Sequence, residues 1–154
     1  MVFKSIISEA LNVASYIVSY CAQKKKPVSN LKLQKMLYFI WIDYYKSTGK
    51  YLFEDRFYAW QLGPVVPIVY FEYCSYGGMP IIPFHSLQKE SYPISSELAD
   101  ALPRLIDPYL HKSARDLVNM THVDGTAWSR VFNNGQGNKK EIPFDYIYQD
   151  AMRG

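Results

Sequence analysis

Apolar residues recur at helical spacing from the start of the chain. Between Ser5 and Gln23, residues Ile6, Ile7, Ala10, Leu11, Ala14, Ile17, Val18 and Cys21 share one side of a helix. Ser8, Glu9, Asn12, Ser15 and Ser19 fall largely on the other, so one face enters a core. Lys24, Lys25, Lys26 and Pro27 end this helix. A second helix begins at Ser29 or Asn30, either of which can cap it, and stops at Gly49. From Met36 to Tyr45 it is apolar on almost every side, which places it at the centre of the domain.

The pattern then changes. Arg56 to Leu62 is short and aromatic and ends at Gly63-Pro64, which predicts a strand followed by a sharp turn. Pro67 suits the first turn of a third helix, carrying Ile68, Val69, Tyr70 and Tyr73 and stopping at Gly77-Gly78. Met79 to Pro93 has no clear period and predicts a loop. Ser95 or Ser96 starts a helix through Leu98, Leu102, Leu105 and Ile106, with Pro103 and Pro108 as breaks or kinks. Ser113 and Asp116 read as a capping box before Leu117, Val118 and Met120. Thr126 caps one more turn around Trp128 and Val131, Asn133 to Lys140 predicts a flexible hairpin or loop, and Ile142-Pro143 leads into a last helix through Tyr146, Ile147 and Met152. The expected fold is α+β, mostly α: about six helices around a central apolar helix, with one or two short strands.

Composition narrows the function. The 154 residues suit one domain, 1–154, and 49% hydrophobic content supplies a core. A net charge of +3 permits contact with nucleic acid without predicting it. No uninterrupted apolar run approaches the roughly 20 residues that span a bilayer, and the N-terminus lacks the features of a signal peptide. The expectation is a cytoplasmic protein with no membrane partner. Cys21 and Cys74, each inside an apolar helical pattern, are expected to be two buried thiols.

Catalytic and metal motifs are weak. No phosphate-binding glycine pattern, zinc spacing or HExxH occurs, so neither metal nor cofactor is expected. His122 lies two positions from Asp124 and could serve as a base, but no nucleophile setting accompanies it. A structural role for Thr121 and His122, bracing the turn at Trp128, accounts for the same residues. Glu54, Asp55 and Glu97 are read as solvated acids. Lys24 to Lys26 with Lys139 and Lys140 form either a phosphate-binding patch or a solvated helix end.

The most specific signal lies at residues 28–78. LKLQKMLYF, the Gly49 stop, Leu52-Phe53 and then AWQLGPVVPIVY resemble the Panacea domain of SocA-like antitoxins and phage-associated proteins. That family's pattern reads LKLQKLLYY, a glycine, a Leu-Phe pair, and AW-x-x-GPVVP-x-VY. The residues that carry it here are Leu31, Leu33, Gln34, Lys35, Leu37, Tyr38, Gly49, Leu52, Phe53, Ala59, Trp60, Gly63, Pro64, Val65, Val66, Pro67, Val69 and Tyr70. Later, Ser113, Leu117, Thr121, His122 and Trp128 match a second stretch, and KKEIPFDYIYQDAM fits the closing helix. Leu62 departs from the family's tyrosine before GPV, and 79–93 matches nothing.

The resemblance implies an antitoxin and not an enzyme. Such a protein neutralises a cognate protein toxin, by direct binding or as an adaptor that delivers it to an AAA+ protease. The alternative is a nucleic-acid-binding phage or operon regulator. The expected contact surface is Tyr58, Trp60, Gln61, Gly63, Pro64, Val65 and Tyr70, offering a strand edge to a partner peptide. Leu33, Leu37, Tyr38, Thr121, His122 and Trp128 are expected to be structural. Trp60 suits either the core or a binding hot spot.

Overall fold

The computed structural model describes residues 9–83 and 93–153. Ser5 to Ser8 and most of the loop expected at 79–93 lie outside the described residues. The elements are α1 (Glu9–Gln23), α2 (Asn30–Thr48), β1 (Phe57–Trp60), β2 (Gly63–Val65), α3 (Pro67–Tyr73), α4 (Ser96–Ile106), α5 (Ala114–Thr121), α6 (Ala127–Phe132), β3 (Lys140–Ile142) and α7 (Phe144–Met152). Short 3-10 turns follow α3, α4 and α6. The class is α+β, mostly α.

Helix α2 is the axis of the fold. It packs against α1, α4, α5, α7 and β2, and every residue from Leu33 to Tyr38 is buried. That is what an all-round apolar helix requires. Its ends are set locally. Ser29 accepts a hydrogen bond from the Lys32 amide, and Gly49 adopts φ 73° while its amide reaches Tyr45 O at 2.8 Å. Ser95 and Thr126 cap α4 and α6 in the same way. Ser113 and Asp116 form a complete capping box on α5. Pro103 sits inside α4 and does not end it, while Pro108 falls in the 3-10 turn beyond.

Among the described residues three strands are present where one or two were expected, in the order β2-β1-β3, all antiparallel. The extra strand is β3, three residues that pair with β1 across some 80 positions of sequence. The segment before it is wound into a 3-10 turn against α6 and is not a plain hairpin loop. Asn133, Asn134 and Lys139 all take positive φ, and Gly137 is buried where a Cβ would lie 1.7 Å from Val131 O. The thiols also differ from expectation: Cys21 is buried and Cys74 is exposed. Cys74 lies in the 3-10 turn past the end of α3, where the apolar stripe no longer faces the core.

Candidate functional site

The Gly63-Pro64-Val65 strand is built into the protein from behind. Among the described residues its outer edge meets no further strand, and side chains of α2 bond to it. Lys35 Nζ donates to Pro64 O at 2.8 Å, and Gln34 Oε1 accepts from the Val66 amide at 3.0 Å. Gln34 Nε2 in turn donates to Asn30 Oδ1, and Asn30 Nδ2 donates to Tyr70 O, each at 3.0 Å. One polar chain therefore fixes β2 and the start of α3 to α2. Buried polar groups paired in this way hold a single geometry.

Gly63 is where these parts converge. It has φ 119°, and a Cβ there would stand 2.8 Å from Thr121 Oγ1 and 3.0 Å from Lys35 Cε. Thr121 is buried and donates to Val118 O at 2.7 Å. The His122 ring lies flat on Trp128, with centroids 3.9 Å apart and 3° between the planes. Trp128 Nε1 donates to Trp60 O at 2.7 Å. The second motif stretch thus buttresses the first.

This setting shapes two ionisable groups. Lys35 is fully buried, and loss of hydration pulls its amine down to about 7. Among the described residues it has no carboxylate partner within salt-bridge range. His122 is held below the ordinary imidazole value, first by burial and then by the neighbouring Lys35 charge, against the effect of a hydrogen bond with the Leu62 backbone. His122 Nε2 is buried with no hydrogen-bond partner. Asp124 is exposed, and among the described residues no hydrogen bond joins its carboxylate to the imidazole. The acids Glu54, Asp55 and Glu97 do not assemble either. Asp55 Oδ1 accepts from the Ala10 amide at 3.1 Å, near the start of α1, and Glu97 faces Lys50 at 3.9 Å.

In front of the pinned strand lies a cleft of about 360 Å³. Asn30, Leu31, Gln34 and Lys35 form one wall, Trp60, Gln61, Leu62 and Val65 another, and Tyr70, Cys74 and Gly77 close it. Tyr70 meets Trp60 edge-on at 4.9 Å. Phe71 (63% exposed) and Leu62 (51% exposed) extend the apolar surface around it. Lys139 Nζ stands 5.4 Å from the Trp60 ring centroid.

Of the seven residues expected to make the contact surface, Trp60, Gln61, Val65 and Tyr70 line this cleft. Gly63 and Pro64 are buried behind it, and Tyr58 is half-buried on β1 outside the lining. The expected free strand edge is not there. β1 is the middle strand, paired on both sides, and the edge of β2 is occupied by α2. Cys74 and Gly77 were not anticipated, because nothing local shows that the end of α3 returns to α2.

A second cleft of about 400 Å³ runs between α2, α5 and α7. Its polar groups are already engaged with one another. Tyr38 Oη donates to Asp150 Oδ2 at 2.6 Å, Tyr109 Oη donates to Asp43, and the Ala127 amide donates to Asp150 at 3.0 Å. Burial, and then the neighbouring carboxylates Asp150 and Asp43, raise the Tyr38 and Tyr109 phenols well above their ordinary range.

A family model for the SocA-like antitoxin Panacea domain matches residues 33–129, which take in nearly all of the first motif stretch and Ser113 to Trp128 of the second. The chain belongs to this family. Antitoxin SocA of Caulobacter vibrioides (strain NA1000 / CB15N) is 31% identical over 157 residues, covering 94% of this chain and 82% of that protein. No solved structure was found to match the chain. The Panacea motif residues now have physical roles in this chain: Gln34 and Lys35 of LKLQK fasten the GPV strand, and Trp128 clamps β1. Leu33, Leu37 and Tyr38 are buried on α2. Among the described residues no helix is long and apolar enough to cross a membrane, and no His, Cys, Asp or Glu cluster has the makings of a metal site.

Proposed function

We propose that the chain is an antitoxin of the cytoplasm that works as one unit, residues 1–154, by binding a protein toxin through the cleft beside the GPV strand. One observation carries this reading. Exposed Phe71 and Leu62, with half-buried Trp60 and Tyr70, form an aromatic and aliphatic surface around a cleft whose backbone is rigidly fastened. Exposed apolar patches of this kind mark interaction sites. Rigid aromatic anchors suit binding, because little conformational freedom remains to be lost. The Caulobacter relative is named an antitoxin, which supports a protein toxin as the class of partner. Direct blocking and delivery to an AAA+ protease both begin with this contact, so the cleft serves either mode.

The test is growth. Reading frames adjoining this gene are expressed singly and together with this chain. One of them is expected to arrest growth alone and to be harmless in the pair, with the two proteins co-purifying. If no adjoining product is both toxic and bound by this chain, the reading fails. Salt-dependent DNA binding without a protein partner would favour the regulator in its place.

A further inference from the structure

Cations are unevenly spread along the chain. Between Glu9 and Asp43 the sequence holds five lysines and no acid, and from Pro108 to Arg115 it again holds no acid. The fold brings these two stretches together. Lys32 Nζ, on the first turn of α2, donates to Leu110 O at 2.8 Å, which sets His111 and Lys112 of the α4–α5 turn beside it. The Lys32 amine is lowered by burial first and by the charge of Lys26 as well, so the run after α1 reaches the same corner. Tyr20 links them further: its hydroxyl donates to Asp107 at 2.6 Å, and Lys24 Nζ lies 5.3 Å from its ring centroid. The acids that flank the turn are engaged, Asp107 by Tyr20 and Asp116 by the Ser113 amide. Lys24, Lys25, Lys26 and Lys112 are exposed, and among the described residues none of them is in an ion pair.

The backbone that presents the run is fixed. The amides of Lys24, Lys25 and Lys26 donate to Tyr20 O, Ala22 O and Cys21 O at 3.1, 3.0 and 2.8 Å. Lys25 takes φ 60°, the left-handed position where a helix end favours glycine. A lysine stands there against the local backbone preference, in the middle of three consecutive cations. The helix dipole does not account for the cluster. Its pull is felt in the last turn of a helix, where α1 carries no cation, and Lys32 and Lys112 stand on other elements. Neither stretch contributes an exposed large apolar side chain, which a membrane-binding face or a protein hot spot would need. We infer that this corner binds the phosphate backbone of a nucleic acid, with Lys24, Lys25, Lys26 and Lys112 on successive phosphates and no base read. None of the four lines the cleft beside the GPV strand, so the two surfaces are separate. Nucleic-acid binding here adds to a toxin partner and does not replace it.

Fluorescence anisotropy on the toxin-free protein provides the test. The probes are a labelled DNA duplex of about 20 base pairs and arbitrary sequence, and an RNA duplex of the same length. Affinity is expected to fall with salt, with a slope of log K against log salt of about −3 to −4, as about four phosphate contacts require. Lys25→Gly is expected to weaken binding roughly five- to tenfold and to flatten the slope by about 0.9. Its melting temperature should not fall, because glycine suits the backbone there. Lys26→Gln combined with Lys112→Gln should flatten the slope by about twice as much. Lys46→Gln removes the same charge from the exposed far end of α2 and should leave binding unchanged. Whichever duplex binds more tightly names the source of the phosphates. Absence of salt-dependent binding to both duplexes overturns the inference. Equal weakening in Lys46→Gln also overturns it, since net charge and not this corner would then be at work. So does tighter binding to polyglutamate or to phosphatidylserine vesicles than to either duplex, which would give the corner to an acidic protein or a membrane.

Discussion

Lys35 sits at the centre of an apolar helix with none of its surface exposed. Burial penalises its charged form, and the consequence for stability has a definite sign. In the unfolded chain the amine titrates near 10.5, and in the folded protein near 7. Between those values the unfolded chain holds one more proton, so stability rises with pH, by up to about 1.4 kcal/mol per unit. Below about pH 7 the penalty is fully present. His122 acts in the same sense lower down, since its value is depressed from 6.5 and stability falls as pH drops through that range. Urea unfolding at about pH 7.5 and 8.5 checks the lysine. The parent should gain about 1 kcal/mol across that step, and Lys35→Met should not. The step stops there because the buried Cys21 thiol, pushed up to about 11, opposes it at higher pH. Parallel slopes for the two proteins would mean that the amine is hydrated. Leu37 tests the same helix without charge. It is fully buried, and Leu37→Ala should cost about 2–5 kcal/mol in the same assay. The leucine was readable from the helical period. The role of Lys35 was not, because a lysine in that register gives no sign of which backbone carbonyl it will meet.

At the level of elements, what was legible was local. Ser29, Ser95, Ser113 and Thr126 each cap the helix that the sequence assigns to them, because a cap depends on residues three positions away. The sheet was harder. β2 follows β1 after a turn at Gln61 and Leu62, and it takes in the Gly63-Pro64 pair where the sequence put the turn, because a glycine-proline pair reads as a turn even where it starts a strand. β3 is three residues long and joins from the far end of the chain. No periodicity can show in so short a strand. The edge of β2 was missed for a related reason: α2 satisfies it with Gln34 and Lys35, so side chains replace the strand that backbone reasoning looks for. This makes Gln34 a clear test. Gln34→Ala removes the acceptor of the buried Val66 amide and the link to Asn30, and it should cost about 1–3 kcal/mol of unfolding free energy. A loss no larger than that of an exposed surface change, within about 0.5 kcal/mol, would show that water takes over the bond. Gly137 is the matching test for the turn before β3. Gly137→Ala drives a Cβ into Val131 O and should destabilise by at least about 1–3 kcal/mol, read as a fall in melting temperature.

Across the whole molecule, the two motif stretches form one assembly. The first supplies the cleft, and the second holds it, through Thr121 behind Gly63 and Trp128 on Trp60 O. His122 belongs to the support: its ring is stacked against Trp128, and among the described residues no hydrogen bond joins it to the Asp124 carboxylate. The sequence named seven residues of one stretch, of which four line the cleft, but could not separate exposed residues from those beneath them, because that depends on where α2 and α3 come to lie. Gln61 and Tyr58 make the separation measurable. Gln61 is exposed and lines the cleft, whereas Tyr58 is half-buried on β1 outside it. Gln61→Arg places a bulky cation into a cleft already holding Lys35, with few contacts of its own to lose. It should leave the melting temperature nearly unchanged and weaken toxin binding by at least about 1–2 kcal/mol. Tyr58→Ala should affect binding less than Gln61→Arg does, since only the latter alters the cleft lining. Calorimetry with the purified toxin compares the two. The reverse ranking, with Tyr58→Ala the more damaging in a folded protein, would move the interface off the cleft and onto the outer face of the sheet.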